Sequence, residues 1–173
     1  MRWSDVDLKR GTVTVQRSVS QTKDEGVTVK STKTGKARAI PLDAHTVKEL
    51  RAIQREQRER RLAYGSGWQG GKTPDEDYIS TTPAGGVIAP ETFGQSVRTV
   101  AERNKLEHIT PHILRHSWVS QMIALGFDAV TISAMSGHSP DVLLTTYAHA
   151  FDTRKREAVD ALGKAREEAR AAK

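Results

Sequence analysis

Apolar and polar positions alternate along the front of the chain, which is the pattern of half-buried strands. Three runs show it, Val13–Val19, Val27–Lys30 and Ala37–Ile40, with polar residues between the apolar ones. Gly35 suits a tight turn between the second and third runs. The pattern therefore predicts a small antiparallel sheet of three strands near the N-terminus.

Beyond these runs the apolar period lengthens to that of an amphipathic helix. Asp43 is a predicted N-cap for a helix that extends to about Ala63. Within it, the Glu- and Arg-rich stretch Gln54–Arg61 has the alternating charges of a solvated helix face. A glycine-rich loop, Gly65–Asp77, follows, and then a short strand is predicted at Tyr78–Ser80.

Proline and glycine mark the helices of the second half. Pro90 suits the first turn of a helix that ends before Leu106. The same signals predict helices over Thr110–Leu125, Ala129–Ser136 and Ser139–Tyr147, and a helical tail after Asp152. The predicted fold class is α+β: mostly helical, with the small three-stranded antiparallel sheet near the N-terminus.

Composition narrows the classes of protein. Lys and Arg number 27 against 21 Asp and Glu, a net charge of +6 and a pI near 9.7, which favours a polyanionic partner such as nucleic acid. No cysteine is present, which excludes disulfides, thiolate metal sites and a cysteine nucleophile. Without a long apolar run or a signal-peptide pattern, the sequence predicts a cytoplasmic chain with no membrane partner. Its 173 residues suit one domain.

Five of the six histidines fall between positions 108 and 149. His112 and His116 have the four-residue spacing of a zinc pair, but Ile113 occupies the place of the glutamate in the usual helical zinc motif, and His108 precedes Pro111. We expect no metal or other cofactor. Individual histidines often cap helices or pack in cores, so no single one of them identifies a site.

Four residues together are more informative: His112 and Arg115 one helical turn apart, then His138 after Gly137, and Tyr147 nine residues after His138. In this order and spacing they resemble the catalytic signature of the tyrosine recombinases, the phage integrase family of site-specific DNA recombinases. The resemblance extends upstream. Arg2–Asp7 is similar to that family's entry into its small sheet, and Thr32–Leu42 to its hairpin.

The resemblance implies a DNA breaking and rejoining fold and a role for each matching residue. Tyr147 would be the nucleophile that forms a 3′-phosphotyrosine intermediate, and Arg115 would bind the nonbridging phosphate oxygens. His112 would accept or donate a proton near that phosphate, and His138 would donate a hydrogen bond to it. Lys33 matches the general acid that protonates the leaving 5′ oxygen, and Lys36 is its nearest competitor.

Other residues receive lesser roles. The residues expected to contact DNA are Lys33, Lys36, Arg38 and Arg115. His116 and His149 fit the family pattern, and we interpret both as orienting or packing groups. Trp118 is expected to pack in the core rather than to stack on a base.

One departure from the family pattern limits the expected activity. Tyrosine recombinases carry another catalytic arginine in a Gly-Leu-Arg-x-Gly-Glu segment ahead of the position that Arg2 matches, and Arg10 and Arg17 do not match that segment either. We expect residues 1–173 to be an incomplete catalytic domain, from a truncated integrase with weak or no activity alone. A DNA-binding remnant without catalysis and a general interaction domain remain alternatives. The expected partners are double-stranded DNA and further copies, as a tetramer, or a full-length integrase.

Overall fold

The computed structural model describes residues 1–22, 24, 26–31 and 37–171. Contacts divide the chain into two compact units, residues 1–110 and 111–173. The first unit contains the described strands, and the second unit is helical. None of the described helices is long and apolar enough to cross a membrane.

The strands of the first unit form two antiparallel sheets. They are β1 (Val6–Asp7), β2 (Thr12–Val15), β3 (Arg17–Thr22), β4 (Gly26–Ser31) and β5 (Arg38–Pro41). One sheet has the order β1-β2-β5, and Val13 on its central strand pairs with Val6 on one side and Ile40 on the other. The other sheet is the β3-β4 hairpin, in which Val19 pairs with Val29.

The predicted three-stranded antiparallel sheet is present, but its strands are not the three predicted runs. The first run is interrupted at Gln16, whose Nε2 donates a hydrogen bond to Asp5 Oδ1 (2.6 Å). The guanidinium of Arg17 also binds the Asp5 carboxylate, which is 5% exposed. These contacts join residues that are far apart along the chain. The alternation of apolar and polar residues within one run therefore cannot predict them. The predicted strand at Tyr78–Ser80 is wrong, since Tyr78 forms only an isolated bridge with Arg2.

Two helices complete the first unit, α1 (Ala44–Tyr64) and α2 (Pro90–Arg103). Asp43 caps α1 by accepting hydrogen bonds from the backbone N–H groups of His45 and Thr46, which confirms the predicted N-cap. Helix α2 begins at Pro90, as predicted. Most side chains of α1 are exposed, but the stretch Gln54–Arg61, predicted to be a solvated face, is solvated only in part. Within it, Gln57 is 2% exposed and Arg61 binds the carboxylate of Asp77.

The second unit contains helices α3 (Pro111–Ala124), α4 (Ala129–Ser136), α5 (Pro140–Thr146) and α6 (Ala148–Ala171). Asp128 caps α4 by accepting from the backbone N–H groups of Val130 and Thr131, and the Ser139 hydroxyl caps α5 by accepting from Val142. The predicted starts of α3, α4 and α5 are confirmed. Helix α6 begins at Ala148, earlier than the tail helix predicted after Asp152.

Four apolar side chains form the core of the second unit, one or more from each of three helices: Val119, Ile123, Ile132 and Leu143, each at most 2% exposed. Trp118 and Tyr147 are partly buried against this cluster. The predicted core role of Trp118 is therefore confirmed. Tyr147 packs against this apolar core, and its hydroxyl forms a hydrogen bond with His116.

Candidate active site

Helix α3 presents three polar side chains of the candidate site on one face. His112, Arg115 and His116 stand three and four residues apart, a spacing that aligns side chains along a helix surface. All three are exposed. Within the described part of the chain, the Arg115 guanidinium makes no ion pair and the His112 ring makes no hydrogen bond. Both groups remain available to an external ligand.

His138 follows the C-cap of α4. Gly137 adopts the left-handed conformation there (φ 75°, ψ 20°) and donates its N–H to the Ser133 carbonyl oxygen (2.8 Å). The turn leaves His138 partly buried, with its Nδ1 3.0 Å from Ser136 Oγ. Since this hydrogen bond occupies Nδ1, the Nε2 atom of His138 is the nitrogen left for another partner.

Tyr147 lies between α5 and α6, where its N–H donates to the carbonyl oxygen of Leu143 (3.0 Å). Its hydroxyl forms a short hydrogen bond with Nδ1 of His116. The ring centroids of His116 and Tyr147 are 5.8 Å apart, and those of His116 and His138 are 6.5 Å apart. His116 therefore stands between the other two rings.

Burial and charge act on both His138 and Tyr147. Burial lowers the pKa of His138, and the nearby charges of Arg115 and His116 lower it further, so this imidazole is neutral at pH 7. Burial raises the pKa of Tyr147, while the positive charge of Arg115 opposes that rise. The phenol is consequently protonated at neutral pH, beside a cation that favours its phenolate.

The structure brings together most of the residues that the sequence singled out. Arg115, His138 and Tyr147 interact within one cluster, and His112 lies one turn before Arg115 on the same helix. Arg38 is on β5 of the first unit. Lys33 and Lys36 lie outside the described residues, so their predicted roles stay predictions.

His116 is the residue whose importance sequence reasoning underestimated. We interpreted it as an orienting or packing group, and the structure places its Nδ1 at the Tyr147 hydroxyl. A signal was available, because His116 follows His112 by four residues and so shares its helix face. The same spacing also fits a zinc pair. Among the described residues, no three His, Cys, Asp or Glu side chains are grouped to hold a metal ion.

The chain thus joins a mostly helical fold with small N-terminal antiparallel sheets to a cluster of one tyrosine, one arginine and two histidines. It belongs to the phage integrase family, whose profile matches residues 1–154. The matched region contains His112, Arg115, His116, His138 and Tyr147, and it extends across the boundary between the two units.

Individual relatives agree with this assignment. The chain is 29% identical over 150 residues to tyrosine recombinase XerC of Xanthomonas campestris pv. campestris, covering 86% of this chain and 38% of that protein. It is 23% identical over 177 residues to a XerC-like tyrosine recombinase of Caldanaerobacter subterraneus subsp. tengcongensis, covering 94% and 44%. The chain therefore spans less than half the length of these two relatives.

Solved structures share the fold. The Tn1549 transposon integrase in complex with transposon right end DNA matches with a TM-score of 0.75 and 18% identity, covering 94% of this chain and 52% of that one. The XerA recombinase matches with a TM-score of 0.60 and 21% identity, covering 93% and 50%. The predicted fold class is thereby confirmed.

Proposed function

We propose that this chain is the catalytic part of a site-specific DNA recombinase that cleaves and rejoins strands through a 3′-phosphotyrosine intermediate. The observation that carries the proposal is the Tyr147 hydroxyl beside His116 and Arg115, with His138 in the same cluster. Membership of the phage integrase family supports it. The substrate is double-stranded DNA, and no metal takes part.

In the proposed step, Tyr147 Oη attacks the phosphorus of a DNA phosphodiester. The new bond joins tyrosine to the 3′ phosphate, and the bond from phosphorus to the 5′ oxygen breaks. The leaving 5′ oxygen takes a proton from Lys33, the general acid that the family resemblance implies. Rejoining is the reverse step, in which the 5′ hydroxyl displaces tyrosine. The phosphotyrosine ester replaces the phosphodiester that was broken, so rejoining needs no external energy source.

Arg115 and His138 act on the phosphate. The Arg115 guanidinium binds the nonbridging oxygens in a forked arrangement and stabilises the charge that builds up in the transition state. His138 is neutral, and if its Nδ1 accepts from Ser136 its proton lies on Nε2, which then donates to a phosphate oxygen. His112 is the proton carrier that the resemblance implies for the same phosphate.

The test is covalent capture of DNA. The chain is incubated with a pool of nicked duplexes of randomised sequence, in which the nick lets the cleaved 5′ end diffuse away and traps the intermediate. We expect a protein–DNA adduct that survives denaturant, and sequencing the trapped DNA identifies the preferred site. The variant Tyr147→Phe should form no adduct, and Arg115→Lys should form it at least about 100-fold more slowly, because lysine lacks the planar fork.

Tyr64→Phe and Tyr78→Phe are the matched controls, since these are the other two tyrosines of the chain. Both should form the adduct at the rate of the unmodified protein. An adduct that persists in Tyr147→Phe would refute the assignment of the nucleophile.

A second candidate is DNA binding without cleavage, favoured by the net charge of +6 on the chain. It predicts duplex binding whose log affinity falls linearly with log salt concentration, and no adduct with any duplex in the pool. The same incubation, followed by both native and denaturing gels, distinguishes the two functions.

A further inference from the structure

We propose that His116 is the proton acceptor for the Tyr147 nucleophile. The inference rests on the proposed function and assigns the acceptor role to a residue outside the four signature positions. Its basis is the hydrogen bond between Tyr147 Oη and His116 Nδ1.

The Tyr147 hydroxyl needs a proton acceptor when it attacks phosphorus. A tyrosine with an ordinary pKa near 10 costs about 4 kcal/mol to ionise at pH 7. Burial raises the pKa of Tyr147, which increases that cost, and the Arg115 charge only opposes the rise. A neutral imidazole in contact with the hydroxyl removes the need for free phenolate, because the proton moves as the oxygen attacks phosphorus.

Geometry selects His116 among the basic groups of the cluster. His138 engages its Nδ1 with Ser136 Oγ, and burial and the charge of Arg115 lower its pKa. His112 makes no hydrogen bond within the described residues, and an arginine stays protonated. His116 alone of these four has a ring nitrogen at the Tyr147 hydroxyl in the described structure.

The step balances as follows. The Tyr147 Oη–H bond breaks, its proton passes to His116 Nδ1, and the oxygen forms the bond to phosphorus. His116 is exposed, so Nε2–H can release a proton to water once the ring is cationic. In rejoining, the cationic ring returns the proton to the departing tyrosine. The groups facing this ring are Arg115, His138 and Tyr147.

Nuclear magnetic resonance tests the contact without requiring activity. In protein labelled at histidine nitrogens and tyrosine Cζ, we expect the Nδ1 of neutral His116 to be unprotonated and its shift to change in Tyr147→Phe. The Tyr147 titration should in turn move in His116→Phe and stay in place in His108→Asn. His108 is a suitable control, since it lies outside α3 with a positive φ (58°) that asparagine tolerates.

Adduct formation tests the proton transfer. Its rate should fall about 100-fold in His116→Ala and recover in that variant when free imidazole is added. His116→Ala that keeps the rate of the unmodified protein would overturn the role, as would a proton on Nδ1 in the resonance experiment. If the unmodified protein forms no adduct, the proposed function fails, and the resonance experiment still decides the contact.

A second inference concerns the first unit, and it rests on family membership rather than on Tyr147. We infer that a cation-lined cleft between the β1–β2 turn and α1 binds the phosphate backbone of duplex DNA. The cleft has a volume of about 640 Å³. Its lining includes five cations and no carboxylate: Lys9, Arg10, Lys48, Arg51 and Arg55.

The arrangement of these cations fits a chain of phosphates better than a single anion. Lys48, Arg51 and Arg55 follow one another at three- and four-residue spacing along one face of α1. They extend over about 10 Å, a length in which one strand of duplex DNA carries about three phosphates. Lys9, Lys48 and Arg55 form no ion pair in the described part of the chain. The cleft lies at one end of the β1-β2-β5 sheet, where Thr12 pairs with Pro41. Arg38 lies at the other end of the same sheet, where it pairs with Val15.

The triple variant Lys9→Gln, Lys48→Gln, Arg55→Gln tests the cleft by the salt dependence of binding to a random-sequence duplex. Each lost phosphate contact should reduce the slope of log affinity against log salt by about 0.9, so we expect a reduction of two to three. The matched control Arg58→Gln, Lys72→Gln, Lys164→Gln removes the same charges outside the cleft and should change the slope by less than one. Equal slopes in the two variants would overturn the inference. So would millimolar inorganic phosphate abolishing the difference, because that result indicates a single-anion site.

Discussion

At the scale of single residues, polar groups in the interior are the ones with the most specific partners. Asp5 accepts hydrogen bonds from the N–H of Arg2 (2.8 Å) and from the side chains of Gln16 and Arg17. Burial raises the pKa of Asp5, but these hydrogen bonds and the charge of Arg17 outweigh burial and hold it below its ordinary value. The folded chain therefore holds this proton less tightly than the unfolded chain does.

The variant Asp5→Asn should lower the free energy of unfolding by about 2 kcal/mol at pH 7, because it removes a charge that three donors satisfy. The stabilisation by Asp5 is present above the unfolded pKa of about 3.9 and is lost as pH falls towards the lower folded pKa. Urea denaturation at pH 7 and pH 3 should thus show a smaller difference between variant and unmodified protein at pH 3. Asp160→Asn, at an exposed position on α6, should show no difference at either pH.

The buried side chain of Ser133 differs from that of Asp5 in its hydrogen bonding. It is 7% exposed, and its Oγ has no hydrogen-bond partner among the described residues. Ser133→Ala should leave the free energy of unfolding unchanged or raise it by about 1 kcal/mol, because an unsatisfied hydroxyl is removed from the core. Thermal denaturation measures the effect. A loss of stability would show that the hydroxyl has a partner in solution.

At the scale of elements, the turn after α4 determines where His138 lies. Gly137 has φ 75°, a conformation that side chains with a Cβ adopt at a cost of about 1 kcal/mol. Gly137→Ala should therefore destabilise the fold by about that amount. It should also slow adduct formation, since the His138 ring follows directly. Gly137→Asn is the control, because asparagine tolerates this conformation and should lose less in both measurements.

The elements also show how far local signals reach. The starts of α1, α2, α4 and α5 were predictable because an N-cap side chain or a proline acts within three residues of the helix start. The division of the strands into two sheets could not be predicted from local signals. It occurs at Gln16 and Arg17, whose side chains bind Asp5, a residue distant along the chain. Sequence periodicity reports which face is apolar and carries no information on distant hydrogen bonds.

At the scale of the whole molecule, the chain has two compact units joined near Thr110. Residues 104–108 lie between α2 and α3 and are exposed, and Lys105 has a positive φ of 57°. An exposed segment outside regular structure is a preferred site of proteolysis. The family profile matches residues 1–154 and so extends into both units.

Limited trypsin digestion should therefore cut after Lys105 before it cuts within α1 to α5. Mass spectrometry identifies the fragments. Lys105→Gln should remove this cut and leave the later ones unchanged. Earlier cleavage within α1, which carries several arginines, would contradict the expectation that helix protects those sites.

By itself the sequence determined the family resemblance, the helix starts and the four signature residues, because each of these depends on residue type and spacing along the chain. Tertiary structure decided which of those residues meet. Ring contacts of His116 with Tyr147 and His138 depend on the packing of α3, α4 and α5 around Val119, Ile132 and Leu143. That packing joins positions about thirty residues apart, as in the His116–Tyr147 hydrogen bond, and no local pattern encodes it.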